Sequence, residues 1–130
     1  MSSERPTRIG VLALQGSFAE HVTMLKRVDG VYAFEVRTKE ELQSADGLII
    51  PGGESTTMAL VAERWGLIPE LKHFSAQHRP VWGTCAGAIF LADKATGIGK
   101  GAHTLRLCHQ YALQVHYTTH WNSAAACRLS

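Results

Sequence analysis

Residues Arg8-Ile-Gly-Val-Leu-Ala-Leu14 form a short, nearly continuous apolar run that stops at Gln15-Gly16-Ser17. A run of that length without polar alternation predicts a strand buried on both faces, and such strands belong to parallel sheets covered by helices. The chain keeps to this constraint through Asp93. After Ser17, a residue type suited to capping a helix, Phe18, His21, Val22, Met24, Leu25 and Val28 recur at helical spacing until Asp29-Gly30. Val31 to Arg37 predicts a second strand, and Thr38 with Glu41 three residues on predicts a capping box on a short helix ending near Ala45. Gly47-Leu-Ile-Ile50 predicts a third strand, broken by Pro51-Gly52-Gly53-Glu54-Ser55. A helix to about Glu63 with Ser55 or Thr56 as its cap, another over about Leu67 to Ala76, a strand over Pro80 to Thr84 and a helix over Ala86 to Asp93 complete the pattern. The order βαβαβααβα predicts an α/β fold, an open and mostly parallel sheet with helices on both faces, whose ligands bind outside the carboxyl ends of the strands.

Composition excludes several other classes. With 130 residues, 45% hydrophobic and 18% charged, the chain has the make-up of an ordinary globular domain and not of a disordered or collagenous one. No apolar run approaches the ~20 residues of a membrane span. The start, Met1-Ser-Ser-Glu-Arg-Pro6, has no hydrophobic segment behind its charges, so neither a secretory signal nor a transit peptide is expected and the expected compartment is cytosolic. Cys85, Cys108 and Cys127 form no C-x-x-C pair, against a disulfide framework or zinc ribbon. Through Asp93 there are 9 Lys and Arg against 11 Asp and Glu, whereas residues 94–130 carry Lys94, Lys100, Arg106 and Arg128 and no acid. Those four cations form no cluster, so no nucleic-acid partner is expected.

Beyond residue 97 the pattern changes. From His103 to Tyr117 the odd positions are largely apolar and the even ones polar, a period of two that predicts one long or two short strands. Asn122 to Ser130 carries no clear signal and is expected to fray.

Two breaks at strand ends carry candidate chemistry. Gly83-Thr84-Cys85-Ala86-Gly87 is a G-x-C-x-G sequence between a predicted strand and a predicted helix, the setting of a nucleophile elbow. The glycines allow the close backbone contacts of a sharp turn, and a helix N-terminus favours the thiolate of Cys85. A buried structural cysteine between packing glycines is the competing account of this motif alone. In Pro51-Gly52-Gly53-Glu54-Ser55 the backbone amides at the end of a neighbouring strand suit an oxyanion hole, with Gly53 N–H and Ala86 N–H as donors. In isolation Pro-Gly-Gly is also an ordinary turn.

Together with Gly10-Val-Leu-Ala-Leu-Gln-Gly-Ser17, Ile49-Ile-Pro-Gly-Gly-Glu-Ser-Thr-Thr-Met58, Pro80-Val-Trp-Gly-Thr-Cys-Ala-Gly87 and Ile89-Phe-Leu-Ala-Asp93, these motifs resemble the class I glutamine amidotransferases. Within that class they are similar to the SNO family, the glutaminase subunits of pyridoxal 5'-phosphate (vitamin B6) synthase. The resemblance implies a flavodoxin-like sheet and a reaction in which Cys85 attacks the side-chain amide of L-glutamine, releasing ammonia for a synthase subunit. It also implies glutamine binding by Gly53, Glu54 and Ser55, oxyanion donors at Gly53 and Ala86, and a place for Gln15 near the active site or the partner interface. No cofactor, metal, nucleic acid or membrane is implied.

The resemblance runs to about Gly97. Residues 1–97 are therefore expected to be the N-terminal part of an amidotransferase domain, and 98–130 a divergent tail, strand-forming or disordered, that replaces the second half. The family's triad ends in a His-Pro-Glu sequence, which occurs nowhere here, and no Asp or Glu follows Asp93. His103, His109, His116 and His120 are expected to be half-exposed histidines and not substitute bases, because no carboxylate follows to orient them. A metal site from His103, Cys108, His109 and His116 is disfavoured by its spacing. A truncated product that retains only a synthase-binding surface is the alternative to an active glutaminase.

Overall fold

The N-terminal apolar run becomes β1 (Thr7–Leu12) in the computed structural model, which describes residues 5–84, Gly87 and the segments 94–96, 112–114 and 124–127. With β2 (Val31–Val36), β3 (Gly47–Ile50) and β4 (Val81–Thr84) it forms a parallel sheet in the order β2-β1-β3-β4. The connections are α1 (Phe18–Leu25), α2 (Lys39–Gln43), the consecutive helices α3 (Ser55–Arg64) and α4 (Ile68–Ala76). The α/β alternation expected from the sequence is therefore present, strand by strand. Of the helix expected over Ala86 to Asp93, only Gly87 is among the described residues, and it is helical.

Successive residues of a strand point to opposite faces, and β1 shows the consequence. Val11 packs with Val22, Ala33 and the partly buried Phe18, Leu25 and Ile49 under α1. Leu12 faces the other way, into a larger cluster that takes Leu42 from α2, Met58 from α3 and Leu71 and Phe74 from α4. Helices thus cover both faces, with α1 on one and α2 to α4 on the other. The near-continuous hydrophobicity of β1 is what a strand with two buried faces requires.

Local signals set several element ends. Glu41 N–H donates to Thr38 Oγ1 at 3.2 Å and Thr38 N–H to Glu41 Oε1 at 3.1 Å, the expected capping box of α2. Asp46 accepts both guanidinium N–H groups of Arg5, at 2.8 and 2.9 Å, and the Arg8 N–H at 2.8 Å, which ties the start of β1 to the entry of β3. Helix α1 ends earlier than its apolar spacing predicts, at Leu25 and not at Asp29-Gly30. Arg27 and Val28 donate to the carbonyls three residues back, Met24 and Leu25, so the last turn tightens out of α-helical geometry.

Just before the tail, β5 (Lys94–Thr96) pairs in parallel with β6 (Ala112–Gln114) within it, and β6 falls inside the stretch predicted as strand. The expectation of fraying over Asn122 to Ser130 is corrected for Ala124–Cys127. These four residues form β7, antiparallel on the free edge of β4, with Thr84 opposite Ala124 and Val81 opposite Cys127. An Ala-rich segment has no periodicity to read; its conformation comes from the unpaired backbone groups that the edge of β4 presents.

Candidate active site

The register of β1, β3 and β4 brings three chain segments to one edge of the sheet. Val11 pairs with Ile49, and Ile50 with Gly83, so the loop after β1, the loop after β3 and the end of β4 emerge side by side. In open parallel sheets this carboxyl edge is where ligands bind.

The first two loops are stitched together by hydrogen bonds. Glu54 N–H donates to Gln15 Oε1 at 2.8 Å. Ser17 N–H donates to the Gly52 carbonyl at 3.0 Å, and the Ser17 hydroxyl donates to the same oxygen at 3.3 Å. Ser17 therefore occupies the cap position of α1, as expected, but spends its hydroxyl on the neighbouring loop and not on its own helix. Gly16 makes the junction close: its φ is +92°, and a Cβ there would run into the Gly52 carbonyl. Gly53 is exposed and lies against Gln15, whose amide oxygen a Cβ on Gly53 would meet.

Glu54 is the N-cap of α3, in place of the expected Ser55 or Thr56. Its carboxylate accepts from Thr56 N–H at 3.0 Å, from Thr57 N–H at 2.7 Å and from the Thr57 hydroxyl at 2.7 Å. A carboxylate satisfies two orphan amides of the first turn at once, which a hydroxyl cannot, and its charge complements the helix dipole. The Thr57 hydroxyl and then the Thr57 and Thr56 amides pull the Glu54 carboxyl down from 4.5 to about 2. Its carboxylate is thus engaged with the helix, while its N–H is engaged with Gln15.

The elbow sequence is described at its flanks. Gly83 pairs with Ile50, and Gly87 is buried against the same strand end, where a Cβ would collide with the Ile50 carbonyl and lie 3.0 Å from the Pro51 carbonyl oxygen. Both glycines of G-x-C-x-G thus pack on the end of β3. Cys85, Ala86 and the side chain of Ser55 lie outside the described residues, as do His103, Cys108, His109, His116 and His120.

One residue near the elbow was read from sequence only as part of an apolar helix face. His21, on α1, has Nε2 3.5 Å from Thr84 Oγ1, and its ring meets the Trp82 ring edge-on at 6.0 Å and 83°. Its place on the stripe of α1 that faces the sheet was legible, but its partner, 63 positions on, was not.

The two depressed carboxyls predict how stability depends on acid. The Arg5 side chain and then the Arg8 N–H hold Asp46 at about 2 against 3.8. A carboxyl whose pKa falls on folding contributes stability that is whole above its unfolded value and lost as pH drops through its folded value. That window runs down to about pH 2 for both groups, from 4.5 for Glu54 and from 3.8 for Asp46. Thermal midpoints followed across this range should fall less steeply in Glu54→Gln and in Asp46→Asn than in the parent, and the difference should shrink with added salt because both groups face solvent. Parallel curves for all three proteins would contradict the assignment.

The SNO glutamine amidotransferase family model matches residues 11–117. The chain is 55% identical over 97 residues to the "Probable pyridoxal 5'-phosphate synthase subunit PDX2" of Arabidopsis thaliana, covering 75% of this chain and 38% of the relative. It is 51% identical over 100 residues to the "Pyridoxal 5'-phosphate synthase subunit PdxT" of Dehalococcoides mccartyi, covering 77% of this chain and 51% of the relative. The chain thus spans about half or less of the length of these curated relatives. A crystal structure of a glutamine amidotransferase superposes with a TM-score of 0.64 at 45% identity, covering 73% of this chain and 50% of that one. A putative peptidase E from Listeria monocytogenes, 12% identical with a TM-score of 0.63, shares the fold alone. By its parallel sheet, its stitched loops at the carboxyl edge and a match that takes in most of its length, the chain belongs to the SNO glutamine amidotransferase family.

Proposed function

We propose that the chain carries the nucleophile half of a glutaminase, the subunit of pyridoxal 5'-phosphate synthase that supplies ammonia to the synthase subunit in the cytosol. Residues 1–97 are the amidotransferase part and 98–130 a divergent tail. The observation that carries this reading is the stitching of Gln15 and Ser17 to the Gly52-Gly53-Glu54 loop beside the end of β4, where the G-x-C-x-G sequence begins. Gly53 is exposed and has no side chain of its own, so a substrate can approach the backbone beside Gln15.

In the proposed reaction the Cys85 thiolate adds to the amide carbon of glutamine, and the oxygen of the tetrahedral intermediate takes hydrogen bonds from Gly53 N–H and Ala86 N–H. The nitrogen takes a proton from water, the C–N bond breaks to release ammonia, and a glutamyl thioester remains. Water then adds to the thioester and glutamate departs, returning the thiolate. Gly53, Glu54 and Ser55 hold the substrate, with Glu54 acting through the loop shape that its cap imposes, since its carboxylate is engaged by Thr56 and Thr57. Gln15 supports the same loop and borders the partner surface. Ammonia passed directly to a synthase subunit escapes protonation in bulk water.

The test is glutamate formed from L-glutamine by the purified chain, alone and with a pyridoxal 5'-phosphate synthase subunit, with Cys85→Ser alongside. Glutamate formation with the synthase subunit is expected, falling about a thousandfold or more in the variant. Activity that survives the substitution would overturn the role of Cys85. Association with the synthase subunit without glutamate would instead establish the alternative, a docking module that has lost catalysis.

A further inference from the structure

We infer that His21 is a positioning residue for the elbow, holding the end of β4 at a set distance from the Gly52–Gly53 loop through the first turn of α1. The inference rests on the proposed role of Cys85 and adds to it a residue with no part in the steps above. Ser17, the residue just before α1, and His21 are four residues apart, so about one turn of the chain separates them. Ser17 is tied to the Gly52 carbonyl, and His21 reaches Thr84, the residue immediately before Cys85. A single turn of α1 therefore bridges the loop proposed to stabilise the oxyanion and the strand end proposed to present the nucleophile.

The rest of α1 makes this bridge stiff. Phe18, Val22 and Leu25 anchor the helix on Val11, Ala33 and Ile49, and Ile49 pairs with Trp82 in the sheet. The edge-on contact with Trp82 fixes the plane of the His21 ring, leaving Nε2 aimed at the Thr84 hydroxyl. Either tautomer serves, because a threonine hydroxyl can donate to a bare ring nitrogen or accept from a protonated one. At 3.5 Å the pair is at the long end of hydrogen bonding, so its effect is on geometry more than on stability. Misplacement of a reacting group by about 1 Å is enough to cost orders of magnitude in rate.

A packing role and a positioning role give different outcomes. The measurement is the rate of iodoacetamide alkylation at Cys85, resolved by peptide mass spectrometry from Cys108 and Cys127, together with glutamate formation in the presence of the synthase subunit. His21→Phe keeps a ring against Trp82 but removes the nitrogen, and Thr84→Val keeps the shape but removes the hydroxyl. Each is expected to slow alkylation at Cys85 by about threefold to tenfold and to leave Cys127 unchanged, and the double variant is expected to be no slower than either single one. His21→Gln, which returns a polar group near the position of Nε2, is expected to recover most of the rate. A His21→Phe protein that matches the parent, or single effects that multiply in the double variant, would overturn the inference. If alkylation responds as expected while no variant and no parent forms glutamate, positioning stands and the glutaminase reading falls; the reverse pattern separates them the other way.

Discussion

Gly87→Ala is expected to cost the chain about 3 kcal/mol of stability, a large share of the roughly 5–15 kcal/mol that holds a typical domain together. The added methyl would collide with the Ile50 carbonyl and lie 3.0 Å from the Pro51 carbonyl oxygen. Both are backbone atoms at the end of a strand that pairs with β1 on one side and β4 on the other. A side chain could rotate away from the intruder, but a carbonyl held in a sheet between two neighbours cannot. Relief must come from Gly87 moving away from the end of β3 and from Pro51. Urea titration of parent and variant measures the effect directly. A loss below about 1 kcal/mol would show that Gly87 and the end of β3 do not meet as closely as described.

Gly16→Ala is expected to behave differently, losing function out of proportion to stability. Its φ of +92° is a conformation that L side chains rarely adopt, and its Cβ would meet the Gly52 carbonyl and, at 2.9 Å, the Gly53 Cα. Both loops involved are at the sheet edge, Gly16 and Gly53 are exposed, and so the clash can be relieved by letting the loops separate. The cost to stability should be about 1–3 kcal/mol, mostly strain and lost hydrogen bonds. What separation removes is the pair of contacts that hold the proposed oxyanion loop, Ser17 N–H to Gly52 and Glu54 N–H to Gln15. Glutamate formation with the synthase subunit should drop about a hundredfold, and the amide protons of Ser17 and Glu54 should lose their protection from exchange. Protected amides in a variant that has lost activity would place the defect elsewhere.

Much of the architecture was legible in residue order because its signals are local. The run Arg8 to Leu14 declared a strand with two buried faces, and the structure supplies α1 on one face and α2 to α4 on the other. Thr38 and Glu41 declared a capping box, and both of its hydrogen bonds form. The two candidate site motifs were placed at strand ends, and Gly83 and Gly87 do pack on the end of β3, beside the loop at 51–54.

What spacing along the chain does not encode is the choice among chemically equivalent partners. Ser17 looked like the cap of its own helix, but its hydroxyl donates to the Gly52 carbonyl, 35 positions away, and makes no cap hydrogen bond in α1. Ser55 and Thr56 looked like caps for α3, yet the carboxylate of Glu54 reaches two amides and a hydroxyl where a serine would reach one donor. Ala124 to Cys127 had no pattern at all and became a strand because β4 offered an unpaired edge. The residue sequence by itself determined the alternation of strands and helices through Thr84 and where most of them begin, since periodicity, turn chemistry and capping act within a few residues. Only the tertiary structure decided the order β2-β1-β3-β4, the pairing of Gln15 with Glu54 and the approach of His21 to Thr84, because those depend on which surfaces the folded sheet brings within hydrogen-bond reach of each other.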